Sequence, residues 1–161
     1  LWLWERDNSR EVNACLRSYG FDFELWNTFI DDDDPDCVAD GFIDGGAAIL
    51  RDQALTVQAK TEQSHIVLVE SEPEWPRWKV ANATTLISET AGELAKETMV
   101  GCCWFEMVDG SRVYSLRACK ESNVDCSAIA KRFGGGGHRG AAGFRLLPNT
   151  RHPWNKEPEN Y

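Results

Sequence analysis

The sequence lacks the features of a membrane protein or of a disulfide-stabilised secreted domain. No apolar run approaches the roughly 20 residues that a membrane-spanning helix needs, and the charged opening segment lacks the apolar core of a secretory signal. The 161 residues contain six scattered cysteines and no CxxC pair, whereas cysteine-stabilised secreted domains are shorter and denser in cysteine. These absences favour reduced thiols and a cytoplasmic location for a chain of ordinary globular composition.

Metal ligands and the common nucleotide motifs are also scarce. The three histidines His65, His138 and His152 do not have the spacing to a cysteine pair that a zinc site requires. Neither a Walker loop nor a Rossmann glycine fingerprint is present. Residues 31–36, with the sequence DDDDPD, are interpreted as a solvated linker, because runs of like charge repel one another and stay exposed. The sequence therefore predicts no metal centre in this chain.

The charge is distributed unevenly along the chain. The net charge is −9, which argues against binding to long nucleic acids. Residues 111–145, however, contain seven basic residues against the two acidic residues Glu121 and Asp125. A basic segment in an otherwise acidic chain suits a small anionic ligand or a few phosphates better than a duplex, which usually requires a broad basic face.

The hydrophobic periodicity predicts helices first and a mixed strand–helix region later. Helices are expected from Ser9, from Asp22, over residues 40–60, from a capping Ser88 and over about residues 125–133. Strands are expected over residues 65–69, 78–83 and 141–147, and Asp109-Gly110 predicts a tight hairpin between two more. On its second strand, Ser115 and Arg117 share one face. We expect an α/β fold with a mixed sheet of about five strands, helices packed on it and a short helical linker segment in front.

The stretch RFGGGGHRGAAGF, residues 132–144, is the most informative motif of the chain. A glycine run is entropically costly to order, and this one lies between a capped helix and an apolar strand rather than between two domains. Backbone N–H groups without a neighbouring Cβ can converge on an oxyanion or phosphate. His138 adds a ring and Arg139 adds a charge beside them. The motif therefore predicts an anion-recognition loop.

Several segments together resemble the DHHA1 domain, which is the C-terminal substrate-binding half of DHH-family phosphoesterases. The run from Gly135 to His138 followed by Ala141-Ala142-Gly143 resembles the GGGHxxAAG signature of that domain. VYSLRAC at 113–119 resembles its S-x-R strand, and DCSAIAKRF at 125–133 resembles the helix before the glycines. The strand and helix over 80–95 and the opening 26 residues resemble other parts of oligoribonuclease-like members.

The resemblance implies a substrate-binding domain that recognises the phosphate of a nucleotide or of a short single-stranded oligonucleotide end. It implies that Arg117 clamps a phosphate and that Ser115 orients Arg117. The backbone of Gly135, Gly136 and Gly137 and the ring of His138 would contact the terminal nucleotide, with Arg139 beside them. The implied layout is a linker segment over residues 1–36, the DHHA1 domain over 37–147 and a polar tail over 148–161.

The resemblance also implies that the catalytic half is absent from this chain. In the family, a separate N-terminal domain holds two metal ions, usually manganese, through aspartates and histidines that include the DHH triplet. That triplet does not occur here, and the chain begins with Leu rather than Met. No catalytic residue, metal site or cofactor is expected in this chain, which alone is expected to be inactive. The parent protein would be a manganese-dependent phosphodiesterase, the DHH domain would be its partner in the same polypeptide, and a homodimer is left open.

Two other interpretations remain open at this point. The same glycine element could serve a stand-alone nucleotide-binding or nucleic-acid-binding module without hydrolytic activity. It also resembles the C-terminal domain of alanyl-tRNA synthetase, although the AAG after the histidine and the linker-like opening favour the phosphoesterase type. An upstream coding sequence with a DHH triplet and spaced aspartates would support the enzyme.

Overall fold

The computed structural model of the protein describes residues 7–30, 34–74 and 77–156. The opening LWLWER, the aspartates 31–33, residues 75–76 and the last five residues lie outside the described residues. The chain forms two compact units, Leu1–Leu55 and Thr56–Tyr161. In the described ranges, no helix combines the length and the apolar character needed to cross a membrane.

The first unit is helical, as the periodicity predicts. It contains α1 (Ser9–Ser18), α2 (Phe23–Ile30) and most of α3 (Pro35–Glu62). Helix α3 is longer than the predicted range 40–60, because Asp34 accepts a hydrogen bond from the Cys37 N–H (3.1 Å) and Pro35 starts the helix. The two units divide at Leu55, inside this helix, whereas the sequence places a boundary at Asp36.

The second unit contains one seven-stranded mixed sheet, which confirms the α/β fold class. Its elements are, in chain order, β1 (His65–Leu68), β2 (Arg77–Asn82), α4 (Ile87–Thr98), β3 (Val100–Glu106), β4 (Arg112–Ala118), α5 (Cys126–Arg132), β5 (Gly136–His138), β6 (Ala141–Leu146) and β7 (Asn155–Lys156). The strand order is β5-β6-β4-β3-β2-β1-β7. Strands β2 and β3 are parallel, and every other neighbouring pair is antiparallel. The predicted hairpin is confirmed: β3 and β4 flank Asp109-Gly110.

The two faces of the sheet carry different cores. On one face, large side chains pack with those of α5, among them Trp78, Tyr114, Leu116 and Phe144. On the other face, α4 packs through Ala91 and Leu94 against a cluster of small side chains that includes Ala81 and Cys103. Because side chains alternate along a strand, Ser115 and Arg117 of β4 share the second face, as the sequence predicts.

The segment predicted as a polar tail contributes to the core of the sheet. Trp154 packs against the cluster that contains Trp78, and its ring centroid lies 5.5 Å from that of Tyr114. The His152 ring lies 4.5 Å from the Trp104 ring, and its Nδ1 is 3.0 Å from the Tyr114 hydroxyl. The following residues form β7, which pairs with β1. A two-residue strand is too short to produce a period-2 pattern, so the sequence does not reveal it.

Burial, followed by the nearby charge of Arg112, lowers the pKa of His152 below its usual value. The unfolded histidine therefore binds a proton at a higher pH than the folded one. We expect the neutral ring to contribute stability that is fully present above about pH 6.5 and is lost as the pH falls below it. Urea unfolding at pH 8 and pH 5 should show that the stability advantage of wild type over His152→Phe shrinks at the lower pH. A pH-independent difference between the two proteins would contradict this linkage.

Candidate functional site

The strand register brings four of the predicted site residues onto one face of the sheet. Arg117 of β4 pairs with Ala141 of β6, which pairs with His138 of β5. In the next row, Ser115 pairs with Gly143, which pairs with Gly136. Paired residues point to the same side of a sheet. We call the surface formed by Ser115, Arg117, Gly136, His138, Ala141 and Gly143 the open face.

The dimensions of the open face suit a nucleotide. Adjacent strands are separated by about 4.8 Å, so the backbones of Arg117 and His138 lie about 10 Å apart across β6. Between them, the rows contain glycine, alanine and serine. Gly136 and His138 are exposed, and Arg117 is partly buried. The result is a shallow floor of small residues with a guanidinium on one side and an imidazole on the other.

The second half of the glycine run is a strand, where the sequence predicts a loop. Gly136–His138 forms strand β5, which turns at Arg139 and Gly140 and pairs back onto β6. Strand β5 is at the edge of the sheet, so part of its backbone has no neighbouring strand to bond. The polar groups offered to a ligand here are therefore those of a strand edge held in place by the sheet.

The fold requires glycine at some positions of the run and not at others. A Cβ at Gly135 would lie 2.1 Å from the Gly143 carbonyl oxygen, and one at Gly137 would lie 2.5 Å from the Ala142 Cα. Gly137 also has a φ of 145°, which L side chains rarely adopt. At Gly136, by contrast, a Cβ would meet nothing within 4 Å and φ is not positive. The fold therefore does not require glycine at Gly136, and the space above it is open to a ligand.

Gly135 is committed to the end of helix α5. Its N–H donates to the Ala130 carbonyl (2.8 Å), and the Gly134 N–H donates to the Lys131 carbonyl (3.1 Å). At the other end of α5, the Asp125 side chain caps the helix through the N–H groups of Ser127 and Ala128. The N–H of Gly135 is therefore not free for a ligand.

Arg117 is held in place by neutral acceptors. Its Nη1 donates to the Leu116 carbonyl (2.9 Å) and to Ser115 Oγ (3.4 Å), and its Nη2 donates to Ser88 Oγ (2.6 Å). A guanidinium has five N–H donors, so Nε–H and one Nη2–H have no acceptor within the described ranges. No carboxylate in those ranges pairs with Arg117. The guanidinium is oriented but not neutralised, which is the state that suits an anionic ligand.

The thiols near Arg117 do not supply the missing negative charge. Burial raises the pKa of Cys103 to about 12 and that of Cys126 to about 11, although the charge of Arg117 opposes both shifts. Both thiols are therefore protonated at neutral pH and carry no negative charge. All six cysteines are free, as the sequence predicts.

A cavity of about 650 Å³ opens where β4 ends, beside Arg117. This volume is in the usual range for small-molecule sites. Four cationic side chains and one carboxylate line it: Lys96, Arg117, Lys120, Arg139 and Glu121. The predicted residue Arg139 lies here rather than on the open face, and its Nη2 donates to the Asn123 carbonyl (3.1 Å). Arg117 thus belongs to both the open face and the cavity.

The basic segment of the sequence separates into two groups in the structure. Arg112, Arg132 and Arg145 form ion pairs with Glu106, Glu72 and Asp109, respectively. The other basic residues of the segment, Arg117, Lys120, Lys131 and Arg139, form no ion pair in the part of the chain that the structure describes. Three of these four line the cavity. The positive charge that forms no ion pair is therefore concentrated at the cavity beside Arg117.

Sequence reasoning does not reveal that Ser88, Lys96 and Lys120 lie close to Arg117. Ser88 is expected to cap a helix, but α4 starts at Ile87 and the Ser88 hydroxyl instead accepts a hydrogen bond from Arg117. Lys96 lies 21 residues before Arg117 on α4, and Lys120 follows β4. The excess of basic residues over 111–145 could have pointed to Lys120. No local pattern links Lys96 to the site, because its position there depends on how α4 packs.

The chain offers no obvious metal centre in the part that the structure describes. Across residues 7–30, 34–74 and 77–156, no group of three or more His, Cys, Asp or Glu side chains is placed to hold a metal ion. What the site offers is guanidinium, ammonium, imidazole and backbone groups, which can bind and orient an anion.

Comparisons with known proteins find similar proteins in a virus and in two bacteria. No family model matches it. An uncharacterized protein of Acanthamoeba polyphaga mimivirus is 26% identical over 148 residues, covering 89% of this chain and 34% of that protein, so the chain spans about a third of that relative. A pGpG-specific phosphodiesterase from Vibrio cholerae is similar in fold with a TM-score of 0.48 and 9% identity, over 65% of this chain and 37% of its own. An uncharacterized protein from Helicobacter pylori has a TM-score of 0.39 and 18% identity, and the match covers 76% of this chain and 38% of that protein.

The difference between Gly136 and Gly137 can be tested directly by measuring the stability of alanine variants. Gly137→Ala should lower the free energy of unfolding by about 2 kcal/mol or more, because the new Cβ clashes with the backbone of Ala142 at an unfavourable φ. Gly136→Ala, the matched control one residue away, should leave that free energy unchanged or raise it by up to about 1 kcal/mol. Urea unfolding of the two variants measures the difference, and equal losses would show that the run is not divided in this way.

Proposed function

We propose that the second unit binds the terminal phosphate of a nucleotide or of a short single-stranded oligonucleotide. In this proposal, the chain is the substrate-binding part of a DHH-family metal-dependent phosphoesterase, as its GGGH–AAG element and S-x-R strand suggest. Hydrolysis is assigned to a manganese-holding DHH domain outside this chain, as the family resemblance implies. The role assigned to the residues of this chain is to bind and orient the substrate.

One observation carries the proposal: the strand register places an unneutralised Arg117, an exposed His138 and the open space above Gly136 on one face. These groups come from β4 and β5, which are separated by β6. Their alignment depends on a pairing that a random glycine-rich linker would not form. A guanidinium suits a phosphate, and an imidazole ring suits stacking with a base.

The geometry supports a specific placement of the ligand. The phosphate would accept hydrogen bonds from the Nε–H and Nη2–H groups of Arg117, at the side of the open face that adjoins the cavity. The sugar would lie over Gly136, where no side chain occupies the space, and the base would lie towards His138. The separation of about 10 Å between Arg117 and His138 matches the extent of one nucleotide.

Holding one end of the substrate contributes to phosphodiester hydrolysis by positioning. A metal centre requires the scissile phosphate to lie in line between the attacking and leaving oxygens. Fixing the terminal nucleotide on a rigid sheet limits which phosphodiester reaches that centre and avoids much of the entropy loss of orienting it. In this proposal, the contribution of the chain is therefore to select the end and the length of the substrate.

Arg117→Ala should weaken binding of a nucleoside 5′-monophosphate by about tenfold to a hundredfold, because it removes charge-assisted hydrogen bonds. Isothermal titration calorimetry on the 161-residue chain measures this effect. Lys131→Ala is the matched control, since it removes the same charge from an exposed position of α5 outside the cavity. Equal affinities for wild type and Arg117→Ala would refute the phosphate clamp.

Gly136→Val should abolish nucleotide binding while leaving the chain folded. The isopropyl group would fill the open space that the sugar needs, but it would meet no protein atom near its Cβ. Gly136→Ala should give an intermediate loss of affinity, so the graded series separates steric blocking from misfolding. If Gly136→Val binds a nucleoside monophosphate as tightly as wild type, the backbone of β5 is not the contact surface.

A further inference from the structure

We propose that the cavity at the end of β4 is a subsite for a terminal phosphomonoester, and that Lys96 and Lys120 make it prefer the monoester to a phosphodiester. This inference deepens the proposed function and rests on it. It assigns a role to two residues that lie outside the glycine element and the S-x-R strand. It also identifies the chemical end group that the site recognises.

The lining of the cavity comes from separate parts of the fold. Lys96 lies on α4, Lys120 follows β4, and Arg139 lies in the turn between β5 and β6. Arg117 reaches the same space from β4. Cations that converge from four elements are not a charge run on one exposed surface. In a chain of net charge −9, such a concentration of positive charge requires a reason other than overall composition.

Most of this positive charge is available to a ligand. Neither Lys120 nor Arg139 forms an ion pair with any carboxylate in the described ranges. Lys96 pairs with Glu93 one helical turn away (2.5 Å), where both side chains are largely exposed, and such surface pairs are weak and easily exchanged. A phosphate that enters the cavity can therefore recruit all three side chains.

The one acidic residue of the lining is already engaged. Glu121 Oε2 accepts a hydrogen bond from the Cys119 thiol at 2.7 Å. This bond is the main reason that the pKa of Glu121 lies below its usual value, and the charge of Lys120 adds to the effect. Glu121 is therefore ionised at neutral pH. Its negative charge offsets part of the positive charge of the cavity and so weakens the attraction for anions. Replacing Glu121 with a neutral residue should strengthen that attraction.

The charge of the cavity discriminates between the two kinds of phosphate. A phosphomonoester carries between about −1.5 and −2 at pH 7 and has three free oxygens, whereas an internal phosphodiester carries a single negative charge and has two. With four cations around one phosphate, the additional charge and the third oxygen both find partners. Arg117 alone could hold either group, so the preference for the monoester is assigned to the lysines.

The test compares a nucleoside 5′-monophosphate with its methyl phosphodiester, which differ at the phosphate alone. Calorimetry with the wild-type chain should show that the monophosphate binds at least about tenfold more tightly. The double variant Lys96→Ala/Lys120→Ala should bring the two affinities to within about threefold while largely retaining the affinity for the methyl ester. Glu121→Gln should increase the preference, and Lys131→Ala, outside the cavity, should leave it unchanged.

The outcomes separate this inference from the proposed function. If wild type binds both compounds equally, or if Lys131→Ala and the double variant lose the same preference, the subsite is overturned although nucleotide binding stands. If neither compound binds, the proposed function fails. Titration with inorganic phosphate then tests the cavity alone: saturable binding that the double variant loses supports the subsite, and its absence refutes it. Gly136→Val should retain this phosphate binding, because its side chain lies on the open face.

Discussion

The candidate site depends on the close pairing of β6 with a strand on each side. A Cβ at Gly143 of β6 would lie 2.8 Å from the Tyr114 carbonyl oxygen on the neighbouring strand β4. Gly137 of β5 lies against the Ala142 backbone of β6. A side chain at either position would force the strands apart. Because the three strands pair closely, Arg117 and His138 lie in one row of residues across the sheet. The small residues thus set the spacing between Arg117 and His138, the side chains proposed to bind the ligand.

Order in this region comes from the sheet, and that explains how the protein tolerates a glycine run. A glycine loses more conformational freedom on ordering than any other residue, but the ladder between β5 and β6 and the hydrogen bond from Gly135 to Ala130 hold the run in place. A ligand therefore meets a surface that is already ordered. Preorganisation of this kind reduces the entropy that binding would otherwise lose.

The sequence predicts the composition of the site better than its shape. Alternation along β4 predicts the shared face of Ser115 and Arg117, and the Asp109-Gly110 turn predicts the hairpin, because both follow from local rules. The strand β5 is not predictable in the same way, since a run of glycines has no hydrophobic period. Its pairing depends on the close approach to β6 that Gly135 and Gly137 permit, because a Cβ at either position would clash with the β6 backbone. The same limitation hides the contact between Ser88 and Arg117, which joins residues 29 positions apart.

The separation of paired from unpaired cations explains how an acidic chain can attract an anion. Arg112, Arg132 and Arg145 are each matched by a carboxylate, which offsets their charge. Two of the cations around the cavity, Arg117 and Arg139, are oriented by carbonyl and hydroxyl groups. Neutral acceptors fix a guanidinium without cancelling its charge. In the proposed function, the acidic remainder of the chain would act against nonspecific binding of long polyanions, and a short ligand that fits between Arg117 and His138 would have the advantage.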